Sequence, residues 1–259
     1  MDLQTSILNA LIINYGIIAV AWVVAVILQT EKFFDLTATG TLVFLTCKSL
    51  QWGEAQYPRQ YIQSACAVLW AIRLGSFLTI RVWRKGSEKG FDGVRDHPFK
   101  FLAAWIMLGV WTTCNIAPTF IQNIKTAKEP IGPLEYIGWS AWCIGFVTEW
   151  VADHQKTIFK SLPQNEDKFI TEGLWRLCRH PNYFGESLMW TGLYLSAWSV
   201  LEGWEHLSII SPLFITLLTS QATGRQQEKQ NMAKWGNDPK YLQYLSDTPY
   251  YIPSIFKVT

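Results

Sequence analysis

The densest chemistry in the chain lies between Gly173 and Glu186, where Arg176, Arg179 and His180 precede Asn182, Tyr183 and Glu186 and an apolar run begins near Phe184. Two guanidinium groups and an imidazole gathered at the entry to an apolar helix can hold a phosphate-bearing ligand. The planar fork of N–H donors on arginine matches phosphate oxygens two at a time. The same arginines also suit the inner boundary of a membrane helix, where basic side chains collect, and composition alone does not separate these readings.

A second group precedes it. Glu149, Asp153, Lys156 and Lys160 follow an i, i+4, i+7, i+11 pattern that lays them along one helical face. Carboxylates accept hydrogen bonds from ribose hydroxyls, and lysines meet phosphates. A solvated helix end with local ion pairs is the alternative. Earlier in the chain, Arg73 and Arg81 sit eight residues apart, close to two helical turns, inside the apolar run from Tyr61 to Trp83. An ionisable group at membrane depth faces a bundle interior or a cavity as a rule, which makes Arg73 a site candidate. Arg81 better suits a side chain that reaches back to the interface.

The composition says what must position these groups. The chain has 259 residues, 49% hydrophobic with 14 Trp, and only 16% are charged, against about 25% in a soluble domain. It therefore reads as a membrane protein. A net charge of +2 without a basic stripe is too small to suggest a nucleic-acid partner. Cys47, Cys66, Cys114, Cys143 and Cys178 are scattered singly without ligand spacing, which indicates neither a disulfide framework nor a metal site.

Seven apolar runs are expected to span: Ile7 to Leu28, Leu36 to Leu50, Tyr61 to Trp83, Phe101 to Ile121, Tyr136 to Val151, Phe184 to Leu201 and Leu207 to Ser220. Asp2 in place of a basic start, and the length of the first run, argue against a cleaved leader. Pro118 with Asn115 implies a kink in the fourth run. With the amino end outside, the basic segments Arg84 to Lys100 and Lys156 to Arg179 and the tail from Arg225 all fall inside, as the distribution of basic residues requires. The Lys125 to Glu129 turn, outside with two lysines, fits that rule less well. The tail reads as helix, turn and helix around Lys234 to Tyr241. The expected fold class is an all-α, seven-helix membrane bundle in one domain over 1–259, with the carboxyl end cytosolic.

The segment Arg179 to Glu186, preceded by Ala152 to Lys156 and accompanied by Leu69 to Gly75, resembles the steroid 5-alpha-reductase-like membrane proteins (3-oxo-5-alpha-steroid 4-dehydrogenase-like), specifically their domain-of-unknown-function 1295 branch. The likeness is densest from Glu149 to Trp198. It implies a multi-pass membrane protein that binds NADPH from the cytosolic side, in a cofactor half of about 136–259, and reduces a carbon–carbon double bond conjugated to a carbonyl in a steroid or other lipid. It places the protein in the endoplasmic reticulum if eukaryotic and in the inner membrane if bacterial, with no nucleic acid or metal as partner.

By the same resemblance, Asp153 and Lys160 match positions that contact the adenosine portion and its 2'-phosphate, with Lys156 and Lys168 in the same cofactor shell. Asn182 and Glu186 match positions near the nicotinamide, and Tyr183 joins the expected cofactor-binding set. Arg73, Arg84, Glu149, Arg176, Arg179, His180 and Arg225 complete the expected cofactor-binding set, Glu149 standing where the family has an Asn. Steroid 5-alpha-reductases use a Gln-Glu pair and a Tyr to polarise the substrate ketone, whereas this chain reads Gln51-Trp52-Gly53-Glu54 with Trp70 at the tyrosine position. Hydride delivery to an enone makes negative charge on oxygen that a donor must stabilise. In a dry cavity a carboxyl stays protonated and can donate. Glu186 is the first catalytic candidate, followed by Tyr183 and Glu54.

Arg-His-Pro-x-Tyr-x-Gly is shared with isoprenylcysteine carboxyl methyltransferases, so an S-adenosylmethionine-dependent methyltransferase is the alternative. That cofactor carries no phosphate and leaves Lys156, Lys160 and Lys168 without a purpose. A non-catalytic lipid-binding membrane protein is the second alternative.

Overall fold

A computed structural model describes residues 1–87, 89–125 and 130–254; the expected turn at Lys125 to Glu129 falls largely outside these residues. Among them there are nine α-helices, short 3₁₀ turns and one π segment, and no strand. The α-helices are α1 (Leu3–Leu28), α2 (Phe34–Trp52), α3 (Pro58–Lys85), α4 (Pro98–Ile124), α5 (Pro133–Ser161), α6 (Pro181–Ala197), α7 (Ile210–Leu217), α8 (Gly224–Trp235) and α9 (Pro239–Asp247). Five of them begin on a proline, whose fixed φ and missing N–H cost nothing at the first helical position.

Four helical stretches are long and apolar enough to cross a membrane: Leu3–Leu28, Pro58–Lys85, Pro98–Ile124 and Gly203–Trp235. The other three expected spans are also helices, α2, α5 and α6, but they are shorter or more polar. Several boundaries move outward from the apolar runs. α3 continues through Arg84 and Lys85, and α5 runs on from Val151 to Ser161. From Ile210 to Trp235 the backbone stays helical past Ser220, through a π segment at Leu218–Thr223. Lys, Arg, Gln and Glu end apolarity without ending a helix, because their intrinsic helix propensity is high. α4 is continuous through Pro118, and near the backbone that this proline disturbs the Ser211 hydroxyl donates to the Asn115 carbonyl at 3.3 Å.

The chain forms two compact units, Met1–Tyr136 with Ser196–Ser211, and Ile137–Leu195 with Pro212–Thr259. In the first, α4 packs on α1 and α2, and α2 on α3. One end of this core is aromatic, with Phe34, Phe91 and Phe101 edge-on to one another or to Trp105. The last turns of α4 carry a polar layer instead. There Asn123 donates to Ser49 and Ser64 at 2.8 Å each, Gln60 donates to the Asn123 carbonyl at 2.8 Å, and Gln122 donates to the Arg59 carbonyl at 3.0 Å. Arg59 and Glu135, both buried, pair at 3.1 Å beside them.

In the second unit α5 and α6 meet backbone to backbone. A Cβ placed on Gly192 would stand 2.4 Å from the Gly138 carbonyl oxygen, and Gly145 and Gly185 oppose each other in the same way. Small residues are the usual means of close helix approach in a membrane protein. This contact fixes the register of the α5 face that carries Asp153 and Lys156 against the first turns of α6.

Candidate functional site

The loop between α5 and α6 is tied down at both ends. The Trp175 indole N–H donates to the Ala152 carbonyl at 3.0 Å, and the Leu174 amide donates to Gln155 Oε1 at 3.0 Å. The Tyr244 hydroxyl donates to the Trp175 carbonyl at 2.7 Å, so α9 clamps the loop from its other side. The Arg179 amide donates to the Pro249 carbonyl at 2.9 Å, and the Ser254 amide to Leu177 at 3.0 Å. Phe169 sits in an aromatic cluster with Trp235, Tyr241 and Tyr244.

These ties enclose a cleft lined by Lys156, Lys160, Lys168, Arg179, His180 and Glu228, with aromatic walls. Lys156 Nζ stands 4.5 Å from the centre of the Trp175 ring, a cation–π contact that holds the ammonium in place. Lys160 and Lys168 are exposed at the rim. Arg179 pairs with Glu228 at 3.0 Å and lies over the Tyr250 ring at 5.4 Å. His180 stacks on Tyr183, with Tyr250 edge-on to it.

Several buried polar atoms at this wall lack a hydrogen-bond partner among the described residues: Arg179 Nε, both ring nitrogens of His180, and Asn182 Oδ1. His180 Nε2 is 3.5 Å from Glu228 Oε1, too long to be a good bond. Burial holds the His180 pKa below its ordinary value; the Glu228 carboxylate opposes this, while Lys156 and Arg179 add to it. Buried polar groups are normally satisfied, so this wall is chemically incomplete as it stands and fits an anionic, hydrogen-bonding ligand. Neighbouring Cys178 is inert by comparison, its thiol pushed up to about 12 by burial.

Asp153 and Asn182, assigned from α5 and α6 separately, meet directly, with Asn182 Nδ2 donating to Asp153 Oδ1 at 3.1 Å. Glu149 is buried on the same face of α5, and Glu186 and Tyr183 are half-buried on α6. Arg176 is exposed and is not part of the cleft lining, because the 3₁₀ turn Gly173–Arg176 buries Trp175 in its place. Arg225 lies 6.0 Å from the Tyr250 ring and donates to Gln221 at 2.8 Å. Arg73, Arg84 and Glu54 belong to the first unit. Arg73 is half-buried over Phe77 at 5.5 Å, Arg84 is exposed in the last turn of α3, and Glu54 is exposed at φ 48° in the turn after α2. Among the described residues no cluster of three or more His, Cys, Asp or Glu could hold a metal.

Residue spacing did not reveal Glu228, Tyr244, Tyr250 or Tyr251. The Tyr251 hydroxyl lies 2.7 Å from the Ser187 hydroxyl and 2.6 Å from that of Thr219, and donates to the Tyr183 carbonyl at 3.0 Å. The only sequence signal for these groups was the aromatic character of a tail that follows the last span.

A family model described as protein of unknown function (DUF1295) matches residues 21–248. A probable O-methyltransferase, ustE, of Ustilaginoidea virens is 36% identical over 34% of this chain and 31% of its own length. An uncharacterized protein of Schizosaccharomyces pombe is 22% identical over 88% of this chain and 72% of its own length. The 3-oxo-5-alpha-steroid 4-dehydrogenase 1 of Mus musculus is 29% identical over 44% of this chain and 42% of its own length. The chain thus spans under half the length of two of these three curated relatives. No solved structure matches.

Proposed function

The chain belongs to the family of proteins of unknown function (DUF1295), and within it we propose an NADPH-dependent membrane reductase that acts on a carbon–carbon double bond conjugated to a carbonyl in a steroid or other lipid. The observation that carries this reading is the cleft in which Lys156, Lys160, Lys168, Arg179 and His180 converge. A 2'-phosphate rewards three ammonium groups with charge-assisted hydrogen bonds, whereas S-adenosylmethionine has no phosphate for them. The similarity to a relative named as a steroid dehydrogenase supports the reaction class. In this reading seven helices span the membrane in one reductase domain over 1–259, with the amino end outside and the cofactor half at about 136–259.

When bound, NADPH supplies the hydride. The chain's own residues do the rest. Lys156, Lys160 and Lys168 hold the phosphate, and Arg179 and His180 donate to a neighbouring anionic oxygen. Asp153, kept in place by Asn182, accepts a ribose hydroxyl. Asn182 Oδ1, unpartnered and buried, accepts from an amide N–H. Glu186 donates a proton at the carbonyl oxygen of the substrate as negative charge develops there, with Tyr183 as the neighbouring donor.

A second reading, an S-adenosylmethionine-dependent methyltransferase, is favoured by the relative named as a probable O-methyltransferase. Native mass spectrometry of detergent-purified protein separates the two readings: retained NADP(H) is the expected result, and retained S-adenosylmethionine overturns the reductase reading. Lys160→Ala is expected to weaken NADPH about tenfold to a hundredfold, the cost of one charge-assisted phosphate contact, and NADH much less. Equal losses for both nucleotides would remove Lys160 from the phosphate site.

A further inference from the structure

The first unit holds a cavity of about 210 Å³ between α1, α4 and the 3₁₀ turn Gly203–Ile209. Its walls are apolar, with Ile7 and Leu11 on one side and Ile116 and Phe120 on the other, and the small side chains of Ala10 and Ala117 keep it open. α1 and α4 are two of the four helices long and apolar enough to cross a membrane.

Three polar residues, Thr113, Glu205 and Ser208, interrupt this lining, and the Thr113 hydroxyl is engaged, accepting from Asn14 Nδ2 at 2.9 Å. Glu205 is committed, accepting from Lys125 Nζ at 2.8 Å and from the Glu202 amide at 2.7 Å. Ser208 is only 4% exposed, and its hydroxyl has no partner among the described residues. A buried, unsatisfied hydroxyl at the head of an apolar cavity calls for an acceptor that arrives with a ligand. Lys125 also stands 3.3 Å from the Glu202 carboxylate, which is 85% exposed. Lys125, Glu202 and Glu205 together carry a net charge of −1, with the free face of Glu202 turned to the surroundings, and so favour a cationic end group.

We propose that this cavity binds the acyl chain of a zwitterionic membrane phospholipid of the phosphatidylethanolamine type, its ester carbonyl accepting from Ser208 and its ammonium meeting Glu202. The lining runs along α4 from Thr113 to Ile121, about 12 Å of helix, so the carbonyl-proximal half of the chain is held and the remainder extends into the bilayer. Such a site is independent of the reductase reading and needs no reaction.

The test uses the full chain in detergent with a lysophosphatidylethanolamine whose acyl chain carries a diazirine. After irradiation, adducts are expected to concentrate on the peptides holding Ile7 to Leu11 and Thr113 to Ile121. Ala117→Trp, which fills the cavity, is expected to lower them at least fivefold, and Ser208→Ala severalfold. Should Ala117→Trp fail to fold, Ala10→Phe fills the same space from α1. Glu202→Lys is expected to shift the preference toward a phosphatidylglycerol probe. Even labelling of the outward surface of α1, from Val20 to Ile27, with the filling variant unaffected, overturns the proposal. Competition by a sterol but not by unlabelled lysophosphatidylethanolamine also overturns it, because the cavity then takes a rigid ring system.

Discussion

Arg179 and Glu228 form an ion pair at 3.0 Å inside a cleft that also holds Lys156, Lys160 and Lys168. The carboxylate takes up one N–H edge of the guanidinium, and its charge opposes an anionic ligand in the cleft. Both side chains are partly open to solvent, so the pair itself contributes little stability. Its larger consequence is for binding.

Glu228→Gln is therefore expected to tighten NADPH and 2',5'-ADP by about threefold to tenfold, the size of one partly screened charge–charge interaction. Isothermal titration at low and high salt checks this, and the gain should shrink as salt rises. Unchanged affinity would mean that bound nucleotide leaves the Arg179–Glu228 pair intact.

Gly185 predicts a different kind of sensitivity. A Cβ there would stand 2.6 Å from the Gly145 carbonyl oxygen and 2.7 Å from the Glu149 amide nitrogen, so backbone would have to move. Gly185→Ala is expected to cost about 1–3 kcal/mol, as overpacking does, and to lower the thermal midpoint in detergent. Because α6 also carries Asn182 and Glu186, nucleotide binding should weaken in the same variant. A midpoint equal to that of the unmodified protein would show that the two helices separate without penalty.

How much of this was readable in the sequence depends on the distance over which each feature is determined. Helices were legible from apolar runs, whereas the prolines that begin α3, α4, α5, α6 and α9 show their role only in the structure. The helix ends were not legible, because residues such as Lys156 and Gln227 stop the apolar pattern without stopping the helix. Arg179, His180 and Asn182 stood out by residue type within one short motif. Glu228 and Tyr251 did not, because each meets that motif only through tertiary folding: Glu228 from α8 and Tyr251 from beyond α9. Gln122 and Asn123, beyond the expected end of the fourth span at Ile121, carried no local signal, and they form hydrogen bonds with α2 and α3.

His180 gives a pH dependence. Burial lowers its folded pKa below the ordinary value of about 6.5, so the folded protein keeps the ring neutral where the unfolded chain takes up a proton. The unfolded state binds more protons in that window. This contribution to stability is complete above about pH 6.5 and declines as the pH falls toward the lower folded value. Lys156 and Arg179 face the ring and resist its protonation, and Glu228 favours it. Thermal midpoints from pH 8 to 5 should fall for the unmodified protein and fall less for His180→Asn, the remaining histidines acting alike in both. Parallel curves would assign the acid sensitivity elsewhere.

Glu186 is the residue on which the proposed chemistry turns. It lies one residue before Ser187, whose hydroxyl is 2.7 Å from that of Tyr251. Tyr251 also donates to the Tyr183 carbonyl, so the turn that presents Glu186 is fixed on both sides. A carboxyl held in this way can deliver a proton without reorganising, and Glu186→Gln keeps the side chain's size and can still hydrogen-bond through its amide N–H while lacking the acidic proton. Loss of a donor to a developing oxyanion commonly lowers turnover by about 10²–10³. With a lipid enone as substrate, single-turnover oxidation of bound NADPH is expected to slow by that order while nucleotide affinity changes less than about threefold, a factor smaller than one lost hydrogen bond to a charged group would cause. If affinity collapses instead and the rate at saturating nucleotide stays near that of the unmodified protein, Glu186 anchors the cofactor, and Tyr183 becomes the group to test as donor.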